Sequence, residues 1–199
     1  MKRLIILFNL LLACVLVNAQ NSVWWEKGEN TLLVGEIKDA HENHFNYLYV
    51  ESEWSRDKTL STYVLASRDQ KWWDKNIWIH AEFRTFVGES ILTDNIYLIG
   101  PMFELAAGKY GFLNLQTLYR YENGNGVQLT LLGDVEYKRL YYSMFMDNYT
   151  NDEFRIHSEN RIFFKIINPV SIGVNFIITC NEVNNGFHCK PMAVIRLDI

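Results

Sequence analysis

"KWWDKNIWIHAEFRTFVGE", residues 71–89, decides how the chain is to be folded. Past two tryptophans and a charged turn, Ile77, Ile79, Ala81 and Phe83 occupy every second position, with Trp78, His80, Glu82 and Arg84 between them. A period of two is the signature of an extended strand, because successive side chains point to opposite faces. One face of this strand is apolar and the other carries histidine, glutamate and arginine.

The pattern recurs along the chain. In 126–136, Val127, Leu129, Leu131, Gly133 and Val135 oppose Gln128, Thr130, Leu132, Asp134 and Glu136. In 155–167, Ile156, Ser158, Asn160, Ile162, Phe164 and Ile166 oppose Arg155, His157, Glu159, Arg161, Phe163 and Lys165. The stretches 110–121 and 170–181 alternate in the same way, setting Asn114, Gln116 and Arg120, then Ser171, Asn175 and Thr179, opposite apolar partners. Strands are predicted at 22–27, 31–38, 44–54, 58–67, 76–87, 94–105, 110–121, 126–136, 138–147, 155–167, 170–181 and 187–199. The segments between them carry turn chemistry, as in "ENGNG" (122–126), "DNYTND" (147–152), "NP" (168–169) and "EVNNG" (182–186). No stretch reads as a long amphipathic helix, a linker or a second domain.

The first residues, "MKRLIILFNLLLACVLVNAQ", read as a signal peptide over 1–19. Lys2 and Arg3 form the basic start, Leu4 to Val17 the apolar core, and Val17-Asn18-Ala19 the small-residue cleavage site. A rival reading takes "LLAC" as a lipobox with Cys14 lipidated, but the apolar "VLVNA" after it is unlike a tether. Residues 20–199 then form a single domain. The net charge of −4 argues against a nucleic-acid partner. After cleavage two cysteines remain, Cys180 and Cys189, readable as a cross-strand disulfide or as two apolar-facing thiols. No cofactor or metal site is expected; His41 and His44 sit together in a turn without further ligands.

Alternation fits two architectures. A soluble antiparallel barrel hides its apolar face, whereas a transmembrane barrel turns that face to lipid and its polar face inward. Strand lengths near those needed to cross a tilted bilayer favour the transmembrane up-and-down β-barrel of about 12 strands. So do aromatics near strand ends: Trp24, Trp25, Trp54, Trp72, Trp73, Tyr119, Tyr121, Tyr141, Tyr142 and Tyr149 are read as interfacial girdles. Full charges deep within strands, including Glu104, Glu136, Arg139 and Arg196, would then face a lumen.

Several stretches resemble the nucleoside-specific channel-forming (Tsx-like) outer-membrane proteins, in particular relatives from Bacteroidetes. The resemblance is carried by "NYLYVESEW" (46–54), "SRDQKWWDKNIWIHAEF" (67–83), "DNIYLIGPMF" (94–103), "FLNLQTLYRYENGNGVQLTLLGDVEY" (112–137) and "GFHCKPMAVIRLDI" (186–199). It implies a twelve-stranded barrel in the cell outer membrane, with lipid as its surroundings, and a narrow channel for nucleosides or similar small polar solutes. The chain departs from such barrels at its end, where Ile199 stands in place of the usual aromatic residue.

Inward polar faces would place the solute-contacting side chains among Tyr47, Tyr49, Glu51, Glu53, Trp78, His80, Glu82, Arg84, Asn114, Gln116, His157, Glu159 and Arg161. Aromatic faces suit base stacking, and the polar groups suit a ribose or base edge. The bland alternative is that these residues fill and rigidify a small barrel. Ser143, with His80, His157 and Asp147, is the best catalytic set, but no nucleophile motif surrounds it, and the chain is read as a non-enzyme. A monomeric channel is the expected function; a lipocalin-like soluble barrel and a structural or enzymatic outer-membrane barrel are the alternatives.

Overall fold

In the structure, a computed structural model, residues 20–28, 30–54, 59–72, 76–88, 95–122, 125–150, 154–181 and 186–199 are described. The expected signal peptide and Trp73 lie outside them. The strands are β1 (Gln20–Lys27), β2 (Thr31–Ala40), β3 (His44–Trp54), β4 (Thr59–Lys71), β5 (Ile77–Gly88) and β6 (Asn95–Gly108). They continue as β7 (Gly111–Tyr121), β8 (Asn125–Tyr137), β9 (Leu140–Thr150), β10 (Phe154–Ile167), β11 (Val170–Asn181) and β12 (Gly186–Asp198). Every strand pairs antiparallel with its sequence neighbours, and β1 closes on β12. The result is a closed up-and-down barrel of twelve strands with no unpaired edge among the described residues.

Register carries one face continuously around the ring. Trp24 pairs with Val34, Val34 with Glu51 and Glu51 with Tyr63. Tyr63 then pairs with Phe86 and Arg84 with Ile96. On the far side Asp147 pairs with His157, Arg161 with Asn175, and Arg196 with Trp24. This face is inside: Glu26, His80, Arg84, Gln128, Asp147, Arg161 and Asn175 are all buried. The opposite face leaves Ile99, Val127, Leu129, Ile162, Phe164, Ile172, Val174, Ile195 and Leu197 exposed. A barrel with charge inside and aliphatic side chains outside is inverted relative to a soluble one, so the lipocalin-like alternative falls on this observation. Most strands have 11 to 14 residues. At about 3.3 Å per residue and a tilt of about 40° they cross roughly 28 Å or more, enough for an apolar band of about 25 Å.

Two rims differ in their connections. The rim holding both described chain ends also carries two-residue turns at Lys109–Tyr110, Lys138–Arg139 and Asn168–Pro169. Exposed aromatics mark both rims: Trp72, Tyr110 and Tyr137 at the tight-turn end, and Trp25, Tyr97, Tyr119 and Tyr121 at the other.

Several sequence expectations are corrected here. Trp24, Tyr141 and Tyr149 are inward, not in a girdle. Trp24 is 3% exposed, and Tyr149 lies beneath the Arg120 guanidinium, 3.9 Å from its ring centre. Arg139 sits in a turn, not in a strand: the tight connection needs a left-handed residue, which Lys138 supplies at φ 57°. Of the two readings left open for the cysteines, the structure has the apolar-facing thiols. Cys180 pairs with Phe187 and Cys189 with Ile178, so the two are out of register by two residues, and both are free thiols.

Candidate functional site: the charged lumen

All thirteen side chains singled out in the sequence fall on the inward register. Two networks gather most of them. In the first, His80 Nδ1 lies 2.5 Å from Asp69 and 3.2 Å from the Gln116 amide, while its Nε2 lies 3.3 Å from Glu82. Gly100 faces His80 from β6 and leaves the ring uncrowded on that side. Arg84 donates to Glu82 on its own strand and, from Nη1, to Asp147 at 2.8 Å. Asp147 also accepts from Gln128 at 2.9 Å and Thr130 at 2.5 Å. Gln128 in turn accepts from Arg120, which is held by Glu122. One hydrogen-bonded chain therefore runs from β4 to the end of β7 by way of β5, β9 and β8.

The second network centres on Arg161. Its Nε donates to Glu26 at 2.9 Å, and its Nη2 reaches Glu159 and, at 3.4 Å, the Tyr49 hydroxyl. Glu26, fully buried, also accepts from Trp24 Nε1 and Asn175. Tyr49 donates to Glu51 at 2.6 Å, and His157 Nε2 lies 3.0 Å from Glu159. Buried charges of this kind are tolerated because most are paired and most of their lone pairs and protons are bonded; Arg84 Nη2 is left without a partner, and Glu51 rests on a neutral hydroxyl.

Of the remaining candidates, Tyr47 lies next to Tyr49 along β3 with the rings tilted and their centres 6.4 Å apart, and Tyr49 meets Tyr63 edge-on. Among the described residues, the Asn114 amide reaches the Met102 sulfur at 3.6 Å. Glu53 is held near the loop rim by Asn30 and Ser61. Trp78 pairs with Met102 toward the opposite rim. Residues that sequence reasoning missed complete the networks: Glu26, Asp69, Gln128, Thr130 and Asn175. His80 is held by Asp69, Glu82 and Gln116 at its two ring nitrogens, and His157 by Glu159 at Nε2.

The lumen is also partly apolar and is crossed by side chains. Trp24, Leu32, Val34, Tyr49, Leu65, Phe163, Met192 and Val194 form one inward cluster; Ile96, Leu98 and Leu118 form another. The Tyr49–Arg161 bond joins β3 to β10. Lys38 on β2, beside Glu36, reaches Asp134 on β8 at 3.3 Å. These two strands are opposite one another in the ring of twelve, so this pair is a strut across the tight-turn end of the lumen. Lys38→Met removes the strut, and single-channel conductance should rise above that of the unmodified chain. Unchanged conductance would place the narrowest point elsewhere.

Comparison with solved structures finds outer-membrane porins. The chain superposes on the KdgM porin with a TM-score of 0.60 at 12% identity, covering 90% of this chain and 99% of that one. A structure of the KdgM porin in complex with disordered oligogalacturonate gives 0.59. The NanC porin gives 0.58 at 6% identity over 91% of this chain and 98% of that one. The fold is porin-like. At such identities the likeness reaches the barrel and stops short of the solute. No family model and no curated protein matches the chain.

Proposed function

We propose that the chain is an outer-membrane channel for the passive uptake of small polar solutes, exported through a cleaved leader at 1–19. The observation that carries this reading is the inversion of faces: aliphatic residues outside, paired charges and hydrogen-bonding groups inside. Arg84, Asp147, Glu26 and Arg161 are buried, and burying charge is costly even when it is paired, so a polar interior fits a passage for polar solutes better than a barrel that only fills its own core. The likeness of fold to the KdgM and NanC porins supports the same reading. Closure of β1 on β12 leaves no strand edge among the described residues for a second copy to pair with, which is compatible with a monomer. No catalytic role is assigned.

Nucleosides are the finer candidate. Tyr49, Tyr63 and Phe86 line one wall with ring centres 6.0 and 4.6 Å apart. Such a wall offers flat faces to a base, beside hydrogen-bonding groups for a ribose. A second reading, a non-conducting structural barrel, is favoured by the cross-lumen bonds of Lys38 and Arg161.

One experiment separates the readings. The protein should fractionate with the outer membrane, migrate differently when boiled, and conduct in planar bilayers with current reduced reversibly by added nucleoside. Conductance without nucleoside block leaves the channel and removes the nucleoside. A folded protein that never conducts is the structural barrel.

A further inference from the structure

Acids and bases in the lumen do not balance. Lys38 sits between Glu36 and Asp134, Arg84 between Glu82 and Asp147, and Arg161 between Glu26 and Glu159. Each of these three cations is therefore shared by two carboxylates. Arg120 is taken by Glu122 and Arg196 by Asp198.

Two inward carboxylates on β3 are left over. Glu51 is bonded by the neutral Tyr49 hydroxyl at 2.6 Å; Glu53 is bonded by Asn30 at 2.7 Å and Ser61 at 3.4 Å. Among the described residues neither forms an ion pair. The excess of acceptors extends to neutral groups: the Oδ1 atoms of Asn114 and of the fully buried Asn175 have no partner. Asn175 faces the lumen beside Glu26. Against these stand one unpartnered guanidinium nitrogen, Arg84 Nη2, and, on the inward register, Lys71, Arg155, Lys165 and the exposed Lys190, with Glu104 and Glu136 as further inward carboxylates.

We infer that the lumen passes small cationic solutes in preference to anions, and that Glu51 and Glu53 set the preference. Fixed charge of one sign on the wall of a narrow, low-dielectric passage concentrates the opposite sign within it and repels its own. The inference rests on the channel reading above. It also separates this chain from the fold neighbour whose structure holds oligogalacturonate, a chain of acidic sugars that an acid-rich lumen would exclude.

The test is the reversal potential of the whole protein in a planar bilayer under a potassium chloride gradient, with oligogalacturonate as a second probe. Potassium should permeate more readily than chloride, and oligogalacturonate should leave the current unchanged. Glu51→Gln keeps an acceptor for the Tyr49 hydroxyl and should move the reversal potential toward zero; the double variant with Glu53→Gln should move it further. Chloride preference, block by oligogalacturonate, or a reversal potential indifferent to both substitutions would each overturn the inference while leaving the channel standing. Absence of any current would overturn the channel reading and this inference together.

Discussion

Replacing Arg161 by methionine should destabilise the barrel by about 3–5 kcal/mol, the usual cost of removing one partner from a buried ion pair. Methionine keeps much of the stem's volume and removes the charge and all the donors. Glu26 is fully buried and Arg161 itself 9% exposed, so water cannot replace the guanidinium. Glu26 would keep Trp24 Nε1 and Asn175 as neutral donors, Glu159 would keep His157, and the excess charge would stay. The planar fork matters as well as the charge. Nε serves Glu26 while Nη2 serves Glu159 and Tyr49, so Arg161→Lys, a single-point cation, should fall between wild type and Arg161→Met. Urea midpoints of the folded, heat-modifiable form would measure the series. Adding Glu26→Gln to Arg161→Met should recover part of the loss, because a neutral amide no longer needs the lost cation. If Arg161→Met costs no more than about 1 kcal/mol, as exposed pairs do, water reaches this network and the lumen is wetter at its middle than the geometry shows.

The strands were legible in the sequence because alternation is local: each strand declares its own two faces without reference to its neighbours. For that reason His80, Glu82 and Arg84, and equally Glu159 and Arg161, were assigned inward together. What alternation cannot carry is height and azimuth. That Asp147 meets Arg84, or Lys38 meets Asp134, depends on inter-strand stagger accumulated over several hairpins, and no single hairpin reveals it. The Trp24–Trp25 pair shows the local limit. Adjacent residues on a strand must point to opposite sides, so the two cannot share an interfacial belt; Trp24 follows the parity of Glu26 and bonds to it. Strand β2, "TLLVGEIKDA", alternates poorly because Leu32 and Val34 face inward with Glu36 and Lys38. A polar lumen pattern does not anticipate an apolar cluster packed inside it.

Ile162 and Arg161 are neighbours in sequence on opposite faces of β10, and Ile162→Arg should be the second costly change. Ile162 is outward and near the middle of a strand of 14 residues. If lipid surrounds the barrel, arginine there costs about 2–4 kcal/mol; near an interface the same substitution costs about 0–1 kcal/mol. Ile167, at the tight-turn end of the same strand and 65% exposed, supplies the interfacial comparison. Phe164 lies between them on the outer face, and Phe164→Arg should give an intermediate loss. Folding into lipid vesicles and unfolding by guanidinium would give the three values. A water-soluble barrel predicts no gradient, because all three sites would be solvated and each change would stay within a fraction of a kcal/mol. A flat profile along β10 would therefore remove lipid from the outer face, and the channel reading would lose its membrane. A gradient steepest at Ile162 would fix the bilayer midplane at the level of Arg161, and with it the depth at which any solute must pass the Arg161–Tyr49 crossing.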